Sequence, residues 1–260
     1  MISIRKGPPP PALVRAGDRR VRELCAAYDA DPVAYRSGKV KMNISKPTYA
    51  STAVKEKLLA SHHGKCCYCE TKIETPYADV HVEHWRPKLS SRQGRREKST
   101  RPGYYWLAYS WDNLLLSCSF CNRDNKKDLF PLKNAAMRAR NHRMSIDRER
   151  PAILKPDGDQ NPRDHITFNG DRAVGRTALG RKTIDVLLLN SPKHRRAEHL
   201  IEIEKRRKVY IDLKDIPDPV VRLHAELQRK FLEDAVKPDR KYSAMVADYL
   251  EKNPLPDHAA

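Results

Sequence analysis

No apolar run in the 260 residues approaches the ~20 needed to span a bilayer. The opening stretch, MISIRKGPPPPALVRAG, lacks the apolar centre of a secretory signal. These absences point to a soluble, cytoplasmic protein with no membrane partner. Acidic residues are scarce: 33 Asp and Glu face 51 Lys and Arg, a formal net charge of +18. An excess of that size suits a polyanion, because neutralising phosphates releases condensed counterions. The plainer alternative is a proteome or partner surface that favours Arg. The charge is spread along the chain and not gathered on one amphipathic helix, which argues against membrane-surface binding. Internal repeats and long linkers are also missing, so one or two domains with a real core are expected.

Two stretches begin like ligand loops and fail. In GRTALGRKT (175–183), Arg181 stands where a phosphate-binding loop needs Lys directly after its second Gly. In DGDQNPRDHITF (157–168), Pro162 replaces the Gly of a calcium loop and Phe168 its terminal Glu. The chain therefore carries no nucleotide-hydrolysing motif of its own.

The cysteines stand at 25, 66, 67, 69, 118 and 121. Cys66 with Cys69, and Cys118 with Cys121, form two C-x2-C knuckles. Such a turn points two thiolates at one tetrahedral ion, and two turns complete a closed four-cysteine site, the mark of structural zinc. Four buried free cysteines are the alternative, which needs two matched knuckles by chance. Cys67 is left over, as a small apolar residue facing away from the metal.

Around the knuckles the periodicity is helical. Val21, Leu24, Cys25 and Tyr28 share one face, as do Ala50, Ala53, Val54 and Leu58, with Gly64 as a stop. DVHVEH (79–84) alternates as a short strand ending in Glu83 and His84. SSRQGRREKSTRPG (90–103) has no periodicity and reads as a mobile loop, whose Arg and Lys can follow a phosphate backbone or simply be solvated. PAILKPDGDQNPRDHITFNG (151–170) suggests short strands or turns. Ser191-Pro192 reads as a helix start, with Ala197, Leu200 and Ile201 inward and Arg195, Arg196, Arg206 and Arg207 wet. Val220, Leu223, Leu227 and Phe231 form a stripe over 219–236, and Tyr242, Met245, Val246, Tyr249 and Leu250 another over 241–251. Both carry apolar residues beyond one narrow stripe, which makes these outer helices the expected partner surface.

VEHWRPK (82–88) sets a carboxylate beside an imidazole. Alone, such a pair is most often a surface ion pair. Here it is followed by WDNL (111–114) and CSFCNRDNKK (118–127), so that strand, Glu-His, loop, Asn-Leu, knuckle and a helix opening with Asn and then Lys come in order. This arrangement resembles the ββα-metal, zinc-knuckle HNH endonucleases. With CCYCE, YYWLAYSWDNLLLSCSFCN and LFPL, the chain is similar above all to the HNH protein of bacterial anti-phage defence systems of the Septu type, also found with some retrons. The likeness covers most of the chain, and its central motifs are the specific ones.

The resemblance implies roles. His84 would be the general base, its pKa range near neutrality suiting it to deprotonate water. Glu83 and Asn122 would hold a catalytic divalent ion, Mg²⁺ or Mn²⁺, acting as Lewis acid and leaving-group stabiliser. Asn113, within the catalytic motif, would brace the loop backbone around the base. By their closeness to the motif, and apart from the resemblance, Arg86, Lys88 and Lys126 would meet phosphates. His81 shares a strand face with Glu83 and is either a supporting group or a plain strand histidine. Trp106 and Trp111 are either buried beneath the motif or stacked on unpaired bases.

The expected fold is α+β: a helical segment 1–63, an HNH ββα-metal core with its zinc knuckle at 64–135, and a mainly helical segment 136–260 packing on the core. The expected activity is hydrolysis of nucleic-acid phosphodiesters, DNA foremost, leaving 5′-phosphate and 3′-hydroxyl ends. The resemblance adds an ATPase partner protein and a bacterial, anti-phage setting. Two alternatives stay open: a zinc-dependent nucleic-acid-binding module without catalysis, and an RNA-directed nuclease, for example on tRNA.

Overall fold

A computed structural model of the chain describes residues 1–73 and 80–257; Asp79, the first residue of the expected strand, lies outside them. Helix α1 (Pro11–Ala30) starts on a proline, whose missing N–H costs nothing there. It buries Leu13, Gly17, Leu24 and Tyr28. Gly17 is required, since a Cβ there would stand 2.9 Å from Tyr109 Cβ. Helix α2 (Pro32–Ser37) is capped by the Asp31 side chain and stops at Gly38 in the left-handed region, φ +79°. A short α3 (Lys46–Tyr49) leads to α4 (Thr52–Ser61), capped by Ser51 and burying Val54 and Leu58. Gly64, at φ +63°, donates back to the Leu59 carbonyl and ends that helix, as its position in the sequence suggests.

At the centre, β1 (His81–His84) pairs antiparallel with β2 (Leu114–Ser117), with Glu83 opposite Leu115 and His84 opposite Leu114. Leu114, Leu115 and Leu116 are fully buried, so this small sheet is covered on both faces. A wide π-helical turn, Phe120–Lys126, follows β2 and carries Cys121, Asn122 and Lys126. Beyond it, α5 (Pro162–His165) leads into a hairpin of β3 (Ile166–Asn169) and β4 (Arg172–Gly175), turned at Gly170 with φ +58°. Helices α6 (Ala178–Leu187), α7 (Arg196–Leu213), α8 (Pro219–Ala235) and α9 (Ser243–Lys252) complete the order. The α+β reading is correct. One buried cluster runs from Met1 to Val246 and includes Cys66, Cys69 and Cys121. Among the described residues no helix is long and apolar enough to cross a membrane.

Several local expectations change. Helix α6 was not legible as a helix; Thr177 caps it, and Gly180 lets it approach the His165 carbonyl, where a Cβ would collide at 2.0 Å. Ser191-Pro192 starts only a single 3₁₀ turn, Pro192–His194, because Arg195 turns left-handed at φ +54° and α7 begins after it. The buried residues of α7 are Arg196, His199, Leu200, Ile203 and Tyr210, whereas Ile201 is half exposed. Arg196 is buried, not wet: its guanidinium lies 5.4 Å over the Phe168 ring and its Nε donates to the Asp171 carbonyl. On α8, Val220, Leu223 and Leu227 are 76%, 56% and 56% exposed. The helix buries Ala225, Leu232 and Ala235 instead, the small alanines allowing close approach.

The loop at 90–103 is held, not free. Ser91 and Thr100 exchange backbone hydrogen bonds, and Asp128 accepts from Ser90, Ser99 and the Arg92 guanidinium. Burial would raise the Asp128 carboxyl, but those donors hold it below its ordinary value. Arg95 reaches the carbonyls of Asn125 and Val186.

Candidate metal centre and catalytic cleft

The sulfurs of Cys66, Cys69, Cys118 and Cys121 lie within 4.8 Å of one another. Cys69 Sγ and Cys118 Sγ are 3.8 Å apart, matching the edge of about 3.8 Å of a tetrahedron with bonds of ~2.3 Å to zinc. The Cys121 N–H points at Cys118 Sγ, 3.5 Å away, the usual support for a knuckle thiolate. Burial drives the Cys69 thiol well above its ordinary value, and its hydrogen-bonded thiol neighbours, Cys118 first, drive Cys121 up. Burial alone would raise Cys66, but hydrogen bonds from the neighbouring thiols hold it well below its ordinary value. Four sulfurs at this mutual spacing fit a structural metal ion such as zinc. Cys67 is buried outside the cluster, its N–H donating to the Leu116 carbonyl, which ties the first knuckle to β2.

Glu83 and His84 end β1 and open onto a cleft of about 240 Å³, lined also by Lys88, Ser90, Asn122 and Lys127. Glu83 is buried. Its Oε1 accepts from Lys126 Nζ at 2.6 Å and from the Tyr68 hydroxyl at 3.3 Å; its Oε2 accepts from Asn122 Nδ2 at 2.6 Å. Burial raises the Glu83 carboxyl above its ordinary value even against the pull of Lys126. Both Glu83 oxygens are thus engaged, and Asn122 turns its amide nitrogen toward the carboxylate; the two are the oxygen-bearing side chains expected to hold a divalent ion, and both line this cleft.

His84 Nε2 stands 2.9 Å from the Ala108 carbonyl. A carbonyl only accepts, so the proton sits on Nε2 and Nδ1 is left as acceptor. Nδ1 faces Lys88 Nζ at 3.3 Å, and the ring meets Tyr49 edge-on at 4.6 Å. Burial, and then the Lys88 charge, push His84 well below its ordinary value, which keeps the imidazole neutral.

The other expected residues divide. Asn113 does not line the cleft; its side chain accepts from the Arg86 N–H at 2.7 Å and donates to the carbonyls of Arg86 and Leu107. It thereby pins the chain just after the dyad to the turn before β2. Lys126 is fully buried behind Glu83, and its Nζ also donates to the His84 carbonyl at 3.0 Å. Arg86 is buried among the rings of Trp85, Tyr104 and Phe130 and pairs with Glu149 at 3.0 Å, away from the cleft. Thus of the three cations expected at phosphates, Lys88 alone lines the cleft, because Glu83 and Glu149 draw the other two inward. His81 stands half-buried opposite Ser117 at the far end of β1. Trp111 is buried, its Nε1 donating to the Gly7 carbonyl, and Trp106 packs partly buried against the core.

Sequence reasoning missed Tyr68, Tyr49 and the Ala108 carbonyl, all in contact with the dyad. Tyr68 sits inside the first knuckle, and its place between the cysteines was the one available signal. A main-chain carbonyl leaves no trace in a residue pattern.

Over 169 residues, 64% of this chain and 53% of the relative, the sequence is 37% identical to Septu protein PtuB of Bacillus mycoides (strain KBAB4). The chain is similar to PtuB. Septu protein PtuB of Bacillus thuringiensis is 30% identical over 137 residues, 53% of this chain and 41% of that protein. The chain spans about half the length of the curated relatives it matches. No protein-family model matches it, and no solved structure does.

Proposed function

We propose that this protein is an HNH endonuclease that hydrolyses phosphodiester bonds of DNA, with β1, β2 and the π-helical turn as its ββα unit between helical flanks. The observation that carries the reading is His84: a neutral imidazole, fixed through Nε2 on a carbonyl, with an acceptor nitrogen at a cleft shared with Glu83 and Asn122. That is what a general base for water requires. In the resting chain Lys88 covers Nδ1. A substrate phosphate draws Lys88 away, and Nδ1 then takes the proton of the attacking water. Asn113 keeps the loop after the imidazole in register, and Lys126 draws the Glu83 carboxyl toward its ionised form and aims it. A divalent ion held by Glu83 and Asn122 would supply Lewis acidity to the phosphate and to the leaving 3′ oxygen.

The similarity to Septu protein PtuB supports a role in anti-phage defence, alongside an ATPase partner that supplies the nucleotide hydrolysis this chain's motifs lack. The test is nicking of supercoiled plasmid by the purified chain, with and without the ATPase of the same system, on addition of Mg²⁺ or Mn²⁺. Metal-dependent conversion to nicked and linear forms supports the reading. No cutting of DNA or RNA under either condition, with zinc bound, contradicts it and favours the binding-module alternative.

A further inference from the structure

A second hollow of about 240 Å³ adjoins the catalytic cleft, with Leu89 and Ser90 lining both. Its walls are aromatic and apolar: Tyr35, Val40, Met42 and Pro102. Val40 and Leu89 are 42% and 47% exposed, so apolar surface faces solvent beside the reacting groups. Lys41 and Arg101 stand on the same hollow. Arg101 lies across Gly38, where a Cβ would come within 2.6 Å of its Nη1, so the left-handed glycine is what lets this cation rest there.

Charge decides what fits. Among the described residues Lys41 and Arg101 form no ion pair, and neither do Lys88 and Lys127 of the cleft. Elsewhere exposed or half-exposed cations such as Arg92, Arg163 and Arg229 hold carboxylates. The two carboxylates on the cleft, Glu83 and Asp128, are held by Lys126 and Arg92, so four cations without an ion-pair partner along two joined hollows complement a polyanionic backbone. A largely apolar hollow with Tyr35 on its wall beside such a track complements a base, whose face stacks on aromatic and aliphatic groups. Its volume of about 240 Å³ gives room for one base.

We propose that this hollow holds a nucleobase of the substrate strand next to the phosphate in the catalytic cleft. The proposal rests on the nuclease reading and extends it. A base in the hollow is out of its stack, so the chain selects single-stranded or locally opened nucleic acid over regular duplex.

The test measures binding, not cutting, so that it is separable from the plasmid assay. Fluorescence anisotropy is recorded for a short labelled single-stranded DNA and for its duplex, with the full chain and no added Mg²⁺ or Mn²⁺. The comparison is with Val40→Asp and with the uncharged Leu89→Ala, both at exposed positions that should fold. The wild type should bind the single strand more tightly, and each variant should weaken that binding by about tenfold while moving duplex binding less than about twofold. Equal affinity for the two forms, or variants that weaken neither or both alike, would overturn the base subsite whether or not the plasmid is cut. Oligonucleotide binding unchanged in Val40→Asp, with loss of binding to the purified partner protein, would overturn it in favour of a protein dock.

Discussion

Lys126 Nζ lies 2.6 Å from Glu83 Oε1 and 3.0 Å from the His84 carbonyl, so one buried ammonium grips both members of the candidate dyad. Removing it leaves the Glu83 carboxylate buried beside only neutral donors. Breaking such a pair from one side costs about 3–5 kcal/mol. Lys126→Met is therefore expected to lose stability of that order in chemical denaturation, and Lys126→Met with Glu83→Gln to recover most of it. A loss below about 1 kcal/mol in the single variant would mean that Glu83 is protonated or solvated in the fold.

The four-cysteine cluster gives a sharper division. Cys69→Ser or Cys118→Ser should release the metal and melt the centre of the chain, read by metal content and far-ultraviolet circular dichroism. Cys67→Ser should keep the metal, because its backbone and not its sulfur is what ties the knuckle to β2. Metal retained in Cys118→Ser, or lost in Cys67→Ser, would reverse the assignment.

Much of this was legible because it is local in sequence. Two C-x2-C knuckles constrain their thiols by turn geometry alone, and Glu83 and His84 reach the cleft from the end of β1, with Asn122 meeting them from the start of the π-helical turn. What was hidden depends on distant partners. Arg86 and Lys126 looked like phosphate ligands by proximity to the motif, yet Glu149 and Glu83 draw them inside. The α8 stripe was legible, but not that its alanines are the buried side while Val220, Leu223 and Leu227 face solvent. The orientation of His84 rests on a main-chain oxygen of Ala108, which no residue type announces.

Acid should destabilise the chain through His62. Its Nε2 accepts the Leu116 N–H of β2, and burial, with the Lys6 charge, lowers its pKa from 6.5 to about 4. Above pH 6.5 the ring is neutral both folded and unfolded and costs nothing. As pH falls from 6.5 to about 4 only the unfolded chain gains the proton, so stability drops by roughly 3 kcal/mol and then levels off. His62→Gln should remove that part of the acid slope in denaturation measured across the window. Parallel curves for the two proteins would show that His62 titrates normally.

The low pKa of His84 has the same sign and a catalytic consequence. The imidazole is already neutral at pH 6.5, so the acid limb of kcat/KM should fall below that value. A limb centred at or above pH 6.5 would mean that the ring is solvated in the working enzyme.

The central claim is that His84 is the base and the cysteines are the scaffold. Its most direct test is plasmid cleavage by wild type and His84→Ala side by side, at matched zinc content and with Mg²⁺ or Mn²⁺ added. The account predicts that the variant keeps its zinc and its fold and loses cleavage by at least about a hundredfold. Equal cleavage by both proteins, or zinc lost from the variant, would contradict it.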